Sequence, residues 1–373
     1  MIEIDGNHQR PGILWNPDLG PNHSRTLEIR RLRAQVLERF GRYDQALAEI
    51  DGTEEHPGIL QLEEQNPDLG PTHPATLFTR WLRAVILNGL GRYGQALAEL
   101  DGSDEWAGVL LLRENSPELG PTHRETLTTR WTRANILRRL GCHEEALDEI
   151  DGTNARPGLV HLEEQHPELG PTHPHVFAAR WLRAEILQGL GRHDQALAEI
   201  DGTDERPGVL RLRQQSPDVG PMHPDTLVTR HTRADILKSL GRYDEALVEI
   251  DGTEKRQGIA PLREQSPDVG PTHPNTLATR SLRGAVLCYL GRYEESEREL
   301  RSVGAEQEEA LGPAHPSALK SGHRLATALV ELGRSSEAEE LLRTVIVRRR
   351  DSSATRIQTP SRRSTTLMRY AEG

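Results

Sequence analysis

The sequence has few of the residues from which compact single domains build a core. Aromatic residues make up 4% and hydrophobic residues 35% of its 373 residues, which is little for one large globular core. A stack of small units needs less, because each unit buries one face against its neighbours. The sparse apolar content therefore favours repeated small units over a single large domain.

Cysteines and long apolar runs are also scarce. The two cysteines, Cys142 and Cys288, lie far apart and show no metal-ligand spacing, which fits a reducing compartment. No stretch approaches the roughly 18 apolar residues of a membrane span, and the first residues show no signal-peptide pattern. We therefore expect a cytoplasmic protein without a membrane partner.

Positive charge is in the minority. The formal net charge of −11 argues against a nucleic-acid partner, because neutralising phosphates requires a basic face. The sequence shows no P-loop, and no residues assemble a nucleophile, a base and oxyanion donors. We expect neither an enzyme nor a nucleic-acid binder, and we expect no cofactor and no metal.

What the sequence does contain is a repeat. Gly-Pro recurs every 50 residues from Gly20 to Gly270, and the next Gly-Pro follows 42 residues later, at Gly312. Apolar residues at helical spacing predict a helix A, such as Thr76 to Leu90, and a helix B that stops at Asp-Gly. In the first unit, helix B covers residues 43–50, a loop covers 53–58, and a short helix C covers 59–65.

Two stretches of the repeat resemble a known family. GRYDEALVEI, from Gly241, resembles the tetratricopeptide repeat. GPTHPNTLATR, from Gly270, is similar to the kinesin-light-chain type of that repeat, which also occurs in bacterial regulators. The likeness covers Gly20 to about Arg343 and implies an all-α solenoid with a concave groove that binds peptides or protein segments. Most units here are longer than those of the family, and the extra residues fall around the Asp-Gly loop.

The repeat divides the chain into four predicted segments. Residues 1–19 form a half-repeat, and residues 20–311 form six units, five of 50 residues and a sixth of 42. Residues 312–350 form a terminal unit of ordinary length, and residues 351–373 form a disordered tail rich in Ser, Thr and Arg. The open N-terminal edge is a cap, a surface for self-association, or a sign that the natural protein starts earlier.

Six A helices carry a pair of arginines three residues apart, and the second arginine stands where the family, by resemblance, has a buried leucine. A half-buried guanidinium must find carboxylates or carbonyl oxygens. We expect each pair to reach back to the preceding insert, for example Arg83 to Glu49 or Asp51. The alternatives are solvent-facing arginines copied with the unit, or a cationic groove for an acidic partner. The predicted ladder consists of Arg33, Arg83, Arg133, Arg183, Arg233 and Arg283 with Asp51, Asp101, Asp151, Asp201 and Asp251.

A few A-helix positions differ between copies that are otherwise alike. Spacings of three and four residues put them on one helix face, and by resemblance to the family they line the inner surface. Tryptophan recurs there as Trp81, Trp131 and Trp181, and it is a frequent anchor at interfaces. The alternatives are varied positions that are merely exposed, or tryptophans packed between repeats. The predicted groove residues are Phe78, Trp81, Asn88, Trp131, Asn135, Arg138, Arg139, Trp181, Glu185, Gln188, His231, Asp235 and Lys238.

One histidine follows each Gly-Pro turn, as at His73, and we expect it to start helix A rather than to bind a metal. The whole pattern predicts a scaffold that binds an extended peptide or protein segment in a concave groove. The alternative is the sensor or regulatory arm of a bacterial signalling or transcription-regulating system, whose effector is another chain.

Overall fold

The computed structural model of the protein describes residues 6–7, 10–11, 20, 22–104, 106–165, 174–216, 219–266 and 269–358. Helices dominate these residues in the order A, B, C, and the predicted all-α solenoid class is confirmed. The A helices are α1 (Ser24–Arg39), α4 (Pro74–Gly89), α7 (Arg124–Leu140), α10 (Pro174–Gly189), α13 (Pro224–Ser239), α16 (Pro274–Tyr289) and α18 (Pro316–Glu331).

Each A helix is followed by a B helix, and five units add a C helix. The B helices are α2 (Tyr43–Asp51), α5 (Tyr93–Asp101), α8 (His143–Asp151), α11 (His193–Asp201), α14 (Tyr243–Asp251), α17 (Tyr293–Leu311) and α19 (Ser335–Gln358). The C helices are α3 (Ile59–Gln65), α6 (Val109–Glu114), α9 (Leu159–Gln165), α12 (Val209–Gln215) and α15 (Ile259–Glu264).

The insert between helices B and C is a tight antiparallel hairpin rather than the predicted loop. Gly52 bridges to Pro57, and Thr53 N–H donates to the carbonyl of His56 at 2.8 Å. Both glycines of the insert are needed, because Gly52 has φ of +86° and a Cβ on Gly58 would lie 2.3 Å from the carbonyl carbon of Asp51. Helix B therefore ends at Asp-Gly because the chain reverses there.

The same hairpin recurs along the chain. Isolated bridges join Gly102 to Ala107 and Gly202 to Pro207. Three copies form two-residue strand pairs with the equivalent register: β1 (Gly6–Asn7) with β2 (Arg10–Pro11), β3 (Gly152–Thr153) with β4 (Arg156–Pro157), and β5 (Gly252–Thr253) with β6 (Arg256–Gln257).

The predicted role of the histidines as helix starters is confirmed where the structure describes them. His73 Nδ1 accepts a hydrogen bond from Ala75 N–H at 3.1 Å, which satisfies one of the free amides at the start of α4. His123, His223 and His315 do the same for their helices. His173 lies outside the described residues.

The chain forms two compact units, Met1–Asn275 and Thr276–Gly373. In the first unit, the core joins successive repeats: Leu82 and Ile86 of α4 cluster with Ala46 and Ile50 of α2 and with Ile59 of α3. This is the packing expected of a repeat that cannot bury its apolar face alone.

In the second unit, α17 runs for 19 residues without an insert. Leu300, Leu325 and Leu329 form its apolar core. Beside them lies a buried polar group in which Ser321 donates to Gln307 Oε1 at 2.7 Å and approaches the hydroxyl of Ser281 at 2.7 Å.

The terminal unit is longer than predicted. Helix α19 continues to Gln358, eight residues past the expected boundary at residue 350. The stretch from Asp351 to Gln358 contains neither Gly nor Pro, so no residue in it breaks the helix. Residues 359–373 of the predicted tail lie outside the described residues. Among the described residues, none of the helices combines the length and apolar character of a membrane span.

Candidate protein-interaction face

In four of the pairs, the second arginine bridges two successive units. In the clearest case, Arg83 Nε lies 2.6 Å from Asp51 Oδ1 and Arg83 Nη2 lies 3.0 Å from Asp51 Oδ2, which is a two-pronged ion pair. Arg83 Nη1 also donates to Glu99 Oε1 in its own unit at 2.6 Å. The same arrangement recurs in Arg133 with Asp101, Arg183 with Asp151, and Arg233 with Asp201.

The first arginine of each pair stays within its own unit, so the prediction that both reach back was wrong. Arg80 Nε donates to Glu99 Oε2 at 3.3 Å, and Arg80 Nη2 donates to the carbonyl of Ala107 in the following hairpin at 3.1 Å. Glu49 likewise belongs to Arg30 and Arg33 of its own unit rather than to Arg83. The reason is reach, because the glutamate faces the A helix against which its own B helix packs.

Electrostatics favour the charged form of the bridging arginines. Burial alone would lower the pKa of Arg83, but the hydrogen bonds and charges of Asp51 and Glu99 outweigh it and raise the pKa. The Asp51 carboxylate remains about one-third exposed. Such a partly exposed pair contributes on the order of 1 kcal/mol, with two-pronged geometry placing it at the favourable end of that range.

The second arginine of every pair also contacts the glutamate of its own B helix. Arg33 pairs with Glu49, and Arg283 Nη1 lies 3.7 Å from Glu299 Oε2. The four arginines between them make the same contact with Glu99, Glu149, Glu199 and Glu249.

The varied positions lie on the A helices, and we call the surface that they form the A-helix face. Trp81, Trp131 and Trp181 are half-buried there. Trp81 Nε1 donates to Thr132 Oγ1 in the next A helix at 2.9 Å, and Trp181 Nε1 donates to Thr232 Oγ1 at 2.7 Å. Two of the three indoles thus tie neighbouring A helices together.

The middle tryptophan differs from the other two. Trp131 stacks on Trp181 with ring centres 6.3 Å apart. Its Nε1 is buried, and it has no hydrogen-bond partner among the described residues. The cause is the next A helix, where Leu182 occupies the position held elsewhere by Thr132 and Thr232.

The polar groove residues also contact one another, both within an A helix and across to the next one. Arg138 Nη2 donates to Asn135 Oδ1 at 2.9 Å, and Arg138 Nη1 pairs with Glu185 at 2.9 Å. Thr232 Oγ1 donates to the other oxygen of Glu185 at 2.8 Å. One turn further on, Gln188 Nε2 donates to Asp235 Oδ2 at 2.8 Å, and Lys238 pairs with the same carboxylate at 2.5 Å.

The ends of three A helices meet the first ring of the preceding B helix. A Cβ on Gly89 would lie 2.4 Å from Tyr43 Cε1, and one on Gly189 would lie 2.4 Å from His143 Cε1. In the copy between them, Arg139 lies over the Tyr93 ring at 6.0 Å. These varied positions are matched to a neighbouring ring, which explains why glycine and arginine alternate there.

The other predicted groove residues lie near this network. Phe78 contacts Trp81 with ring centres 5.3 Å apart. Asn88 and His231 are half-buried on the same face. The structure therefore brings the predicted groove residues onto one face, and many of them are engaged in the joints between repeats.

Sequence reasoning missed a row of buried charges on the C helices. Burial lowers the pKa of Arg113 and Arg213 to about 10, and burial together with the charge of Arg230 lowers that of Arg263 to about 9. Their guanidinium groups donate to backbone carbonyls at the start of the next A helix, as Arg113 does to Glu125 at 2.8 Å. The sequence did contain a signal for these buried charges, because Arg113, Arg213 and Arg263 occupy the same position of the repeat, within otherwise apolar C-helix segments.

Glu63 occupies the equivalent position in the first unit. It is fully buried, and Arg31 Nη1 lies 3.4 Å from its Oε1. Burial raises its pKa to about 7, although the neighbouring Thr79 hydroxyl and the charge of Arg31 act in the opposite direction.

Models of the tetratricopeptide repeat match residues 275–350 and, in a second version, residues 27–51, 77–101 and 178–201. In these four segments the chain carries tetratricopeptide repeats. The matched segments include α1 and α2, α4 and α5, and the helices from α16 to α19, so the A and B helices correspond to the two helices of the repeat. No curated protein matches the sequence.

Among solved structures, two are of a Podosopora anserina putative kinesin light chain with nearly identical tetratricopeptide-like repeats. One is a point variant of that protein, and both are 22% identical and cover 61% of this chain and 96% of their own, with TM-scores of 0.43 for the variant and 0.42 for the other. A Rap protein complexed with competence and sporulation factor is 12% identical, with a TM-score of 0.42, and covers 89% of this chain and 99% of its own. At TM-scores this low, the likeness identifies neither a partner nor a function.

Proposed function

We propose that this chain is a protein–protein interaction scaffold that binds an extended segment of a partner protein along the A-helix face. Arrays of tetratricopeptide repeats present extended binding surfaces made of successive repeats. The observation that carries the proposal is the row of half-buried rings on that face, formed by Phe78, Trp81, Trp131 and Trp181. Aromatic side chains that keep part of their surface exposed are the usual anchors of interfaces.

The A-helix face suits a partner segment that carries both apolar and charged side chains. The rings offer apolar contact, and the ion-paired row from Arg138 to Lys238 offers charges that are already held in place. A side chain held in place loses less conformational entropy when it binds, so preorganised charges favour affinity. The bridging Arg–Asp pairs fix an A helix to the end of the preceding B helix and thereby help to keep the anchors correctly spaced.

A selection experiment tests the proposal. Random peptides displayed on phage are selected against the full chain, and the affinity of the winners is measured on two matched variants. Val228→Glu places a charge on the A-helix face, where Val228 is half-buried. Val248→Glu places the same charge on helix B, where Val248 is 50% exposed.

We expect the selected peptides to bind Val228→Glu at least about tenfold more weakly, because a buried unpaired charge costs more than about 1.4 kcal/mol. We expect Val248→Glu to bind as the unmodified chain does. A selection without winners, or winners sensitive only to Val248→Glu, would contradict binding at the A-helix face.

A further inference from the structure

The first compact unit contacts itself across five repeats. Gly41, in the turn after α1, lies against Pro274, and a Cβ on this glycine would lie 3.0 Å from both Cγ and Cδ of the proline. His273 Nε2 lies 3.4 Å from the carbonyl oxygen of Arg39, which is 234 residues away along the chain. All four residues belong to the first compact unit. We call their contacts the turn contact.

The histidine in the turn contact has a partner for each ring nitrogen. His273 Nδ1 accepts a hydrogen bond from Asn275 N–H at 3.1 Å, in the way that His73 starts α4. A neutral ring of this tautomer carries its proton on Nε2, which then donates to the carbonyl of Arg39. Burial and the charge of Arg263 lower the pKa of His273, although the hydrogen bond to Arg39 acts in the opposite direction. The neutral ring that the turn contact needs is therefore the favoured form.

The A-helix face curves inward in the first compact unit. Burial and the charge of Glu38 raise the pKa of Tyr43, and the charge of Arg139, two units on, acts in the opposite direction. Burial lowers the pKa of Arg138, and the carboxylate of Asp235, also two units on, is among the charges that oppose it. Because solvent screens distant pairs, such charges influence each other only where the helices that carry them approach. The A-helix face is therefore the concave side of this unit.

Five repeats complete one turn of the first compact unit. The turn contact brings the first residue of α16 beside the end of α1, so the helices from α1 to α15 lead from one side of the contact to the other. Because the A-helix face lies on the inside of this turn, the turn contact helps to enclose it. A free chain end can thread into an enclosed face, whereas a segment held at both ends by folded regions has to pass between the two sides of the contact.

We propose that the turn contact is a latch that controls access to the A-helix face: a partner segment held at both ends by folded regions reaches the face only when the latch opens. This role of the latch rests on the proposed function, whereas the enclosure rests on the turn contact and the curvature alone. The latch is weak enough to open, because one neutral hydrogen bond shifts an equilibrium by only about fivefold.

Two double variants test the latch. The latch variant carries Gly41→Asn and His273→Ala, which act directly on the turn contact. The control variant carries Gly191→Asn and His223→Ala at the equivalent positions of other repeats. Gly191 has φ of +74° where Gly41 has +71°, but a Cβ there would have no atom of the described residues within 4 Å, and His223 starts its helix as His273 does. Both variants introduce the same backbone strain and lose the same kind of helix cap, and only the latch variant loses the turn contact.

Access to the A-helix face is measured by labelling a single cysteine in the full chain, with the native Cys142 and Cys288 replaced by serine. Thr128→Cys reports on the face, because Thr128 is half-buried at the position of Phe78. Val248→Cys is the exposed reference on helix B. At each cysteine, the labelling rate with a branched polyethylene glycol maleimide is divided by the rate with N-ethylmaleimide, which corrects for the reactivity of the thiol.

With the latch intact, we expect this ratio to be at least about tenfold lower at Thr128→Cys than at Val248→Cys, because the bulky reagent enters only through a minor open state. The latch variant should raise the ratio at Thr128→Cys by about fivefold, the shift expected from one hydrogen bond, and the control variant should leave it unchanged. Circular dichroism verifies that both keep their helix content. If the double variants lose it, His273→Ala and His223→Ala alone form the matched pair.

Two sets of results would overturn the proposal. Equal ratios at the two cysteines would show that the A-helix face is not enclosed. A ratio that stays low in the latch variant, or that rises equally in the control variant, would show that the turn contact does not control access. None of these rates depends on a bound partner, so the phage selection described above succeeds or fails independently of them.

Discussion

At the scale of single residues, the three tryptophans show how one neighbour decides what a repeated side chain contributes. Trp81 and Trp181 each donate to a threonine of the next A helix, whereas Trp131 faces Leu182 and keeps its donor unpaired among the described residues. A hydrogen bond contributes about 1 kcal/mol, and a buried donor without a partner costs a similar amount or more. The same residue type therefore stabilises two joints and is less favourable in the joint between them.

Phenylalanine substitutions isolate this difference. Trp81→Phe, Trp131→Phe and Trp181→Phe each remove a similar apolar area, but only the first and third lose a hydrogen bond. We expect Trp131→Phe to reduce the free energy of unfolding by about 1–2 kcal/mol less than the other two. Urea unfolding followed by circular dichroism measures the three values. Equal losses would show that the indole hydrogen bonds do not hold the joints.

Glu63 makes stability depend on pH in an unusual direction. Because its pKa rises from the ordinary value of 4.5 to about 7 in the folded chain, the folded state binds the proton more tightly than the unfolded state. The stability from protonated Glu63 is present at low pH and is lost as pH rises from about 4.5 to about 7. Ionisation at higher pH costs up to about 3 kcal/mol.

Glu63→Gln tests this behaviour, because glutamine stays neutral at every pH. We expect the variant to gain about 2–3 kcal/mol relative to the unmodified chain when the pH is raised from 5 to 8. Urea unfolding at both pH values measures the change, and Glu64→Gln is the matched control, since Glu64 is exposed next to it. A difference that does not change with pH would mean that the pKa of Glu63 is not raised.

At the scale of the elements, local patterns were sufficient for the helices but not for their contacts. The C helix predicted over residues 59–65 is observed over Ile59–Gln65, because its apolar positions and the flanking Gly58 and Pro67 are local signals. The role of Trp81 was not visible in the same way, since its partner Thr132 lies 51 residues away in the next copy. Periodicity reveals which residues share a face, whereas side-chain partners depend on the register between helices.

The bridging arginines give a prediction at this scale. Arg133→Leu leaves Asp101 without its two-pronged partner, while Glu149 keeps Arg130 and Arg156. We expect a loss of about 1–3 kcal/mol in the free energy of unfolding, and we expect the loss to shrink at high salt because the Asp101 carboxylate is about one-third exposed. The measurement is urea unfolding at low and at high salt.

Arg124→Leu serves as the control, because Arg124 lies exposed at the start of the same helix. It should change the free energy of unfolding by less than about 0.5 kcal/mol. If Arg133→Leu is as stable as the unmodified chain or more stable, the bridging pairs do not hold neighbouring units together.

At the scale of the whole molecule, the copies are so similar that whole units can be deleted to test how well neighbouring units fit together. Each interior unit meets the next through the same set of positions, so removing one unit of 50 residues joins two faces that already match. The two variants with residues 121–170 or residues 171–220 deleted are equal in length. They differ in the joint that the deletion creates.

Removing residues 121–170 places Trp81 opposite Leu182, whereas removing residues 171–220 places Trp131 opposite Thr232. The second deletion supplies an acceptor for the indole and an acidic partner, Asp235, for Arg138. We expect both variants to fold and the second to be more stable by about 1–2 kcal/mol, which corresponds to one hydrogen bond and one partly buried ion pair. Urea unfolding of the two proteins measures the difference. If the chain without residues 121–170 is equally stable or more stable, the contacts between A helices do not determine how well neighbouring units fit.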